Sequence, residues 1–147
     1  MSRTARVNLT EVAERRSPAG ELTSRVRGPK QIVGARAASE MADEIATPGK
    51  GQLKAIFIAG GNPVNAGPDG DALDAAFAQL DLLVAVDLFQ RESHRHAHWL
   101  IPGTHFLERE EFSSMVIATR HVMSVQYTAP SVSPSWDVRP ESEFFVE

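Results

Sequence analysis

The sequence contains no cysteine, so neither a disulfide framework nor a thiolate metal site is possible. Long hydrophobic runs are missing too. The longest apolar stretches fall far below the roughly 20 residues that a spanning helix needs. Residues 1–30 are rich in arginine (Arg3, Arg6, Arg15, Arg16, Arg25 and Arg27), yet no apolar core of a secretory signal follows them. Glu11, Glu14 and Glu21 also break the acid-poor character of a transit peptide. A soluble, cytoplasmic chain is the expectation. Basic charge is not in excess either. Against 15 Lys and Arg stand 19 Asp and Glu, a formal charge of −4, which argues against an electrostatic nucleic-acid binder. The Gly-x-Gly-x-x-Gly of a dinucleotide fold, the Lys-Ser/Thr of a phosphate loop and a nucleophile elbow are likewise absent, and no catalytic group is recognisable.

What the chain does contain is concentrated between Ala55 and Pro102. Ile56, Phe57, Ile58 and Ala59 form a continuous apolar run bounded by glycine, which suits a strand buried on both faces of a parallel sheet. After Gly60-Gly61-Asn62-Pro63, the residues Leu73, Ala76, Phe77 and Leu80 recur at i, i+3, i+4 and i+7. That spacing predicts an amphipathic helix, with Asp69 or Asp71 as its N-cap. A second apolar run from Leu82 to Val86 ends at Asp87 and completes a βαβ unit whose connection should be right-handed. Asn62 and Asp87 then stand at the carboxyl ends of parallel strands, where open α/β sheets bind ligands.

The flanks extend the pattern. Ala38, Met41, Ala42 and Ile45 suggest a helix from Ala38 to Ile45, stopped by Thr47-Pro48-Gly49. Downstream, a short helix is expected over Arg91–Ala97, a third parallel strand at Trp99–Ile101 closed by Pro102-Gly103, and a loop at Phe106 and Leu107. A last strand is expected from Val122 to Tyr127. Pro130, Pro134 and Pro140 make the stretch from Ala129 to Pro140 an irregular surface excursion, after which a helix should start near Glu141 and dock Phe144 and Phe145 on the sheet. A chain of 147 residues with 42% apolar content holds one such domain with a real core. The fold class is therefore α/β, a three-layer sandwich with a mainly parallel sheet of Rossmann-like or flavodoxin-like type. It spans 35–147 and follows a partly irregular connecting segment, 1–34, with a short helix near Leu9–Arg16.

Four features could carry chemistry, and each has a structural alternative. Asn62 is either a turn residue, since Asn tolerates left-handed conformations, or a ligand contact. Asp87 either caps the turn that follows it or accepts two parallel hydrogen bonds from the N1–H and N2–H₂ edge of guanine, a pairing adenine cannot offer. Arg109 either forks onto phosphate oxygens or is a solvated partner of Glu108, Glu110 or Glu111. His94, His96 and His98 alternate, and on a strand three imidazoles on one face could bind zinc. The segment reads better as a short helix followed by a strand, which scatters the rings, so no metal site is expected.

Taken in order, Gly61-Asn62-Pro63, Val86-Asp87, Arg91-Glu92-Ser93, Ile101-Pro102 and Leu107-Glu108-Arg109 resemble the third domain of molybdopterin oxidoreductases of the dimethyl sulfoxide reductase and formate dehydrogenase type. The lead-in from Ala42 to Gln52 and the closing Arg139-Pro140-Glu141 extend the resemblance over essentially the whole chain. It implies a site for molybdopterin guanine dinucleotide, two copies of which hold molybdenum or tungsten in the complete enzyme. The implied cofactor-binding residues are Gly61, Asn62, Pro63, Val86, Asp87, Arg109 and Glu141, with no catalytic residue and no metal or iron–sulfur ligand among them. Relatives commonly continue past the basic position with a glycine after an acidic residue, whereas this chain has Glu110-Glu111-Phe112. Glu141 stands where many relatives have Asp.

The resemblance further implies a piece of a longer oxidoreductase, supplying one wall of the cofactor site and ending about two turns too early for a last helix of typical length. The remaining domains of the parent enzyme, encoded nearby, are the expected partners, with no nucleic acid and no membrane. The alternative is a stand-alone, non-catalytic nucleotide-binding or assembly module.

Overall fold

Helix α1 (Met41–Ala46) enters from a 3₁₀ turn at Ala38–Glu40 and is stopped at Thr47, whose backbone is extended. The next apolar run forms strand β1 (Ala55–Ala59). Gly60 and Gly61 turn the chain into a single helical turn, α2 (Pro63–Ala66), with proline at its first position, where a missing N–H costs nothing. Helix α3 (Gly70–Phe77) carries the i, i+3, i+4 apolar stripe. Its N-cap is Asp69, which accepts a hydrogen bond from the Ala72 N–H and adopts a left-handed conformation. Asp71 instead lies in the first turn, where a negative charge favours the helix dipole. Strand β2 (Leu82–Asp87), a 3₁₀ turn (Glu92–His94) and strand β3 (Trp99–Pro102) follow. The computed structural model describes residues 23–28, 36–112, 126–134, 138–140 and 143. Expectations for Leu9–Arg16, for the strand from Val122 except at its end, and for the helix from Glu141 with Phe144 and Phe145 lie outside these.

The strands form a parallel sheet in the order β1-β2-β3. Ile58, Leu83 and Ala85 point to the face covered by α1 and α3, where Ile45, Leu73, Ala76, Phe77 and Leu80 complete the core. This is the expected α/β architecture with a parallel sheet. One expectation fails. The run Ile56–Ala59 is not buried on both faces: among the described residues β1 stands at the edge of the sheet, and Phe57 is 44% exposed. Phe57, Val84 and Trp99 are directly paired across the three strands and so share the outer face, where Trp99 is 67% exposed. An uninterrupted apolar run carries no period-2 signal and cannot tell an edge strand from a central one. Continuous burial belongs instead to central β2, where Leu83, Ala85, Val86 and Asp87 are all buried.

Beyond β3, strands β4 (Glu111–Phe112) and β5 (Tyr127–Thr128) pair antiparallel, and the Phe112 and Tyr127 rings meet at 5.0 Å. In the excursion from Ala129 to Pro140, the described residues form only an isolated parallel bridge between Arg139 and Gly103. Among the described residues no helix is long and apolar enough to cross a membrane.

Residues 23–28, inside the segment read as connecting, are fastened to α1. The Glu44 carboxylate is buried. It accepts hydrogen bonds from Ser24 Oγ at 2.6 Å and Arg25 N at 2.9 Å and pairs with Arg25 Nε at 3.0 Å. The same guanidinium donates to the carbonyls of Glu44 and Thr47, so it also caps the carboxyl end of a six-residue helix too short to stand alone. Burial pushes the Glu44 carboxyl up, but the Ser24 hydroxyl, the Arg25 N–H and the charges of Arg25 and Arg36 outweigh it and hold the group below its ordinary value of 4.5. A carboxyl depressed in the folded state contributes stability that is fully present above the unfolded value and is lost as pH falls through the folded one. The contribution is therefore complete above about pH 4.5 and disappears below it. Removing one partner of a buried pair costs roughly 3–5 kcal/mol. Arg25→Met is expected to lower stability in urea denaturation at pH 7 by about 3 kcal/mol or more. It should also flatten the acid side of the stability profile. Unchanged stability would mean that the segment is not held this way.

Candidate functional site

The loops that follow the three parallel strands border a cleft of about 290 Å³, and an adjacent cavity of about 470 Å³ lies at the ends of β2 and β3, lined by Leu88, Phe89, Pro102 and Gly103 among others. β1 runs into Gly60 and Gly61, β2 into Asp87 and Leu88, and β3 through Gly103 into Thr104. Gly60 has φ of +57°, and its N–H reaches the Val86 carbonyl at 2.8 Å. That turn requires a left-handed residue, which glycine supplies without strain. A Cβ added at Gly60 or Gly61 would meet nothing within 4 Å, so both border open space. At Gly70, by contrast, a Cβ would sit 2.3 Å from the Val64 carbonyl oxygen. That glycine is there to let α2 and α3 approach.

Asp87 is only 8% exposed, and its carboxylate fastens the turns after β1 and β2 together. Oδ1 accepts hydrogen bonds from the N–H groups of Leu88 at 2.7 Å and Phe89 at 3.3 Å; Oδ2 accepts the Gly61 N–H at 3.2 Å. Arg91 Nη2 lies 3.8 Å from Oδ1. The fully enclosed His94 imidazole stands behind, with Nε2 3.2 Å from the Gly61 carbonyl oxygen and 3.6 Å from Asp87 Oδ2, and Nδ1 3.1 Å from the Phe89 carbonyl oxygen.

A second cluster holds the turn from the other side. Asn62 Oδ1 accepts hydrogen bonds from Ser93 Oγ at 2.7 Å and Ser93 N at 3.3 Å, while its Nδ2 donates to Glu92 Oε2 at 2.7 Å. Ser93 Oγ in turn accepts the Val64 N–H at 2.9 Å. The Glu92 carboxyl is held below its ordinary value, first by its own backbone N–H and then by the Asn62 amide.

The structure thus brings together Gly61, Asp87 and Arg109 around one cleft. Asn62 and Pro63 adjoin it, but the Asn62 side chain is engaged with Glu92 and Ser93, and Pro63 opens α2. Val86 is buried in β2 and contributes its carbonyl to the turn. Glu141 lies outside the described residues. Arg109 pairs with Glu111 Oε2 at 3.4 Å. Sequence reasoning missed Arg91, Thr104 and Phe106 as cleft residues and His94 as the link between turns. Nothing in local periodicity signals them, because their place in the cleft depends on how the loops after separate strands come together.

The histidines are scattered. His94 is enclosed beneath the cleft, His96 pairs with Asp74 at 3.2 Å, and His98 Nδ1 accepts the Leu83 N–H at 2.9 Å. Among the described residues no group of three or more His, Cys, Asp or Glu could hold a metal ion. A further cavity of about 440 Å³ lies at the opposite end of β1, lined by Glu40, Glu44, Met41 and Leu53 among others. It is part of the Arg25–Glu44 attachment and is remote from the strand ends, so it is not the candidate site.

The carboxyl edge of a parallel sheet, where this glycine-bordered cleft lies, is where open α/β sheets bind ligands. The sequence signature of the molybdopterin oxidoreductases matches residues 4–147, nearly the entire chain, and the chain belongs to that family. It is 29% identical over 98 residues to the NADPH-Fe(3+) oxidoreductase subunit alpha of Geobacter sulfurreducens, covering 67% of this chain and 11% of that protein. It is 34% identical over 59 residues to the F420-dependent formate dehydrogenase 1 subunit alpha of Methanococcus maripaludis, covering 40% of this chain and 9% of that protein. It is 32% identical over 60 residues to the assimilatory nitrate reductase catalytic subunit of Bacillus subtilis, covering 41% and 8%. The matched regions thus span about a tenth of the length of these relatives.

The glycine environments give a direct check. Gly61→Ala is expected to leave the melting temperature unchanged, since the added methyl meets nothing. Gly70→Ala should destabilise by about 1–3 kcal/mol through overpacking. Thermal unfolding of the two variants compares them, and equal losses would contradict the open cleft at Gly61.

Proposed function

We propose that the chain supplies one wall of a molybdopterin guanine dinucleotide site in an oxidoreductase whose other walls come from further domains. The domain corresponds, in this reading, to the third domain of the family's enzymes, with 1–34 as the connection to a neighbouring part. The observation that carries it is the convergence of the loops after the three strands on a cleft bordered by two glycines that leave space for a ligand. The residues present suit such a group. Gly61 offers close backbone approach, Arg109 a guanidinium, and Asp87 a buried carboxylate whose Oδ2 takes only one backbone N–H and so retains acceptor capacity. Asn62 and Pro63 set the shape of the turn, Val86 supports it from the strand, and Glu141 would complete the wall. When bound, the cofactor supplies two-electron chemistry at molybdenum or tungsten, and the protein holds and orients it. A role in holding rather than catalysis is supported by the Asp87 carboxylate, which is committed to the N–H groups of Gly61, Leu88 and Phe89.

The test is base selectivity. Guanine nucleotides are expected to bind this chain more tightly than adenine nucleotides. Asp87→Asn should remove the preference, because an amide leaves a donor facing a donor of the base. A charge-assisted hydrogen bond contributes roughly 1.5–3 kcal/mol, so the loss should exceed about tenfold. Calorimetric titration with GMP and AMP measures it. Equal affinities for the two in the wild-type chain would overturn the assignment of Asp87.

A further inference from the structure

The cavity at the amino end of β1 contains a buried carboxyl group that the fold does not satisfy. It has a volume of about 440 Å³ and lies between Ser24 and α1. Glu40, the residue that precedes α1, lines it and is only 6% exposed. Among the described residues its side chain has one hydrogen-bond neighbour, Ser24 Oγ, 3.3 Å from Oε2. That hydroxyl has a single proton to give. Glu44 Oε1 stands 2.6 Å from the same oxygen and takes it, while the Ser24 oxygen also accepts the N–H groups of Val26 and Arg27 at 3.3 and 3.4 Å. Glu40 therefore faces an acceptor rather than a donor.

A carboxylate removed from water is costly unless it is paired and hydrogen-bonded, and the nearby donors are spent elsewhere. Arg25 is committed to the Glu44 carboxylate and to the carbonyls of Glu44 and Thr47, and the Gln52 amide to the Ile45 carbonyl. The rest of the wall is chiefly apolar, with Ala37, Ala38, Met41 and Leu53 lining it. Apolar walls around one polar anchor, in a space of this size, make a small-molecule site. Arg36 also lines the cavity, is exposed, and acts on Glu44 through its positive charge. A ligand that answers Glu40 has to bring a cation with N–H donors. The walls call for a hydrocarbon body behind it, and Arg36 repels a second positive charge.

We propose that this cavity is a second binding site, which takes a primary monoamine: the ammonium group donates to the Glu40 carboxylate, and the alkyl body packs on Met41 and Leu53. The site is separate from the cleft at the carboxyl edge, and the proposal does not depend on the nucleotide reading. Because Ser24 lines the cavity together with residues of α1, an occupant adds to the attachment that Arg25 and Glu44 make between them.

Four six-carbon compounds that differ only at their ends separate the contributions: hexylamine, hexanol, hexanoate and hexane-1,6-diamine, each titrated at pH 7 into the full chain and followed by backbone amide NMR. Hexylamine, protonated at this pH, is expected to bind with shifts at Ala37, Met41, Gly51 and Leu53. Hexanol should bind at least about tenfold more weakly, the worth of one charge-assisted bond. The diamine should bind severalfold more weakly than hexylamine, and hexanoate not at all. Glu40→Gln should weaken hexylamine by about tenfold or more and leave hexanol unchanged. Saturating hexylamine should raise the melting temperature of the wild-type chain by mass action and that of Glu40→Gln much less.

Equal affinities of hexylamine and hexanol would reduce the cavity to an apolar pocket and overturn the proposal, a comparison that stands on the wild-type chain even if Glu40→Gln does not fold. Hexylamine binding that Glu40→Gln leaves unchanged would also overturn it, as would shifts gathered on the exposed face of Phe57 and Trp99 or no binding of hexylamine at all. A diamine that binds as tightly as hexylamine would overturn the restriction to monoamines.

Discussion

One buried carboxylate holds the functional edge of this domain together. Asp87 sits where β2 ends, and its two oxygens accept the N–H groups of Gly61, Leu88 and Phe89. A buried carboxylate is costly unless it is hydrogen-bonded, so the three donors and the charge require one another. Because Gly61 belongs to the turn after β1 and the other two to the turn after β2, satisfying the charge fixes the relative position of both turns. The enclosed His94 repeats the link from below, reaching the Gly61 and Phe89 carbonyl oxygens. Asn62 and Ser93 repeat it from the side.

This arrangement has a consequence for binding. Ordering a loop on association weakens affinity, and a site whose turns are already fixed avoids that loss. The cleft walls are set by backbone and by short side chains, while the groups able to meet a ligand, Arg91 and Arg109, are long and partly exposed. The apolar core lies on the face of the sheet covered by α1 and α3, where it stabilises the strands, while the cleft lies at their carboxyl edge.

The core of the fold was legible because its signals are local. The period of Leu73, Ala76 and Phe77, the apolar run at Leu82–Val86 and the proline at Pro102 each specify an element within a few residues, and the elements appear where expected. Gly61 and Asp87 could be named as candidates because they lie beside strand ends, and Arg109 through its guanidinium and the Leu107-Glu108-Arg109 piece; the structure lines one cleft with all three. The unreadable part is long-range. The run at Ile56–Ala59 does not reveal that its strand is an edge. Arg25 is separated from Glu44 by 19 positions, and no spacing rule connects an arginine in an irregular segment with a helix it caps. Asn62 was weighed as a turn residue or a ligand contact. Its side chain binds Ser93 and Glu92 some 30 positions on, a link that no local spacing reveals. Thr104 carried no signal and Arg91 entered only within the Arg91-Glu92-Ser93 piece, because their place in the cleft arises only when the ends of β2 and β3 come together.

The central claim is that the carboxyl edge of the sheet, held by Asp87, is where this member of the molybdopterin oxidoreductase family meets its ligand. Backbone amide NMR of the uniformly labelled chain during titration with GDP measures this most directly. The account predicts shifts concentrated at Gly60, Gly61, Leu88, Thr104 and Arg109, with the core strands little changed. Shifts confined to the cavity beside Glu40, Glu44 and Leu53 at the other end of β1, or none at all at saturating ligand, would contradict it.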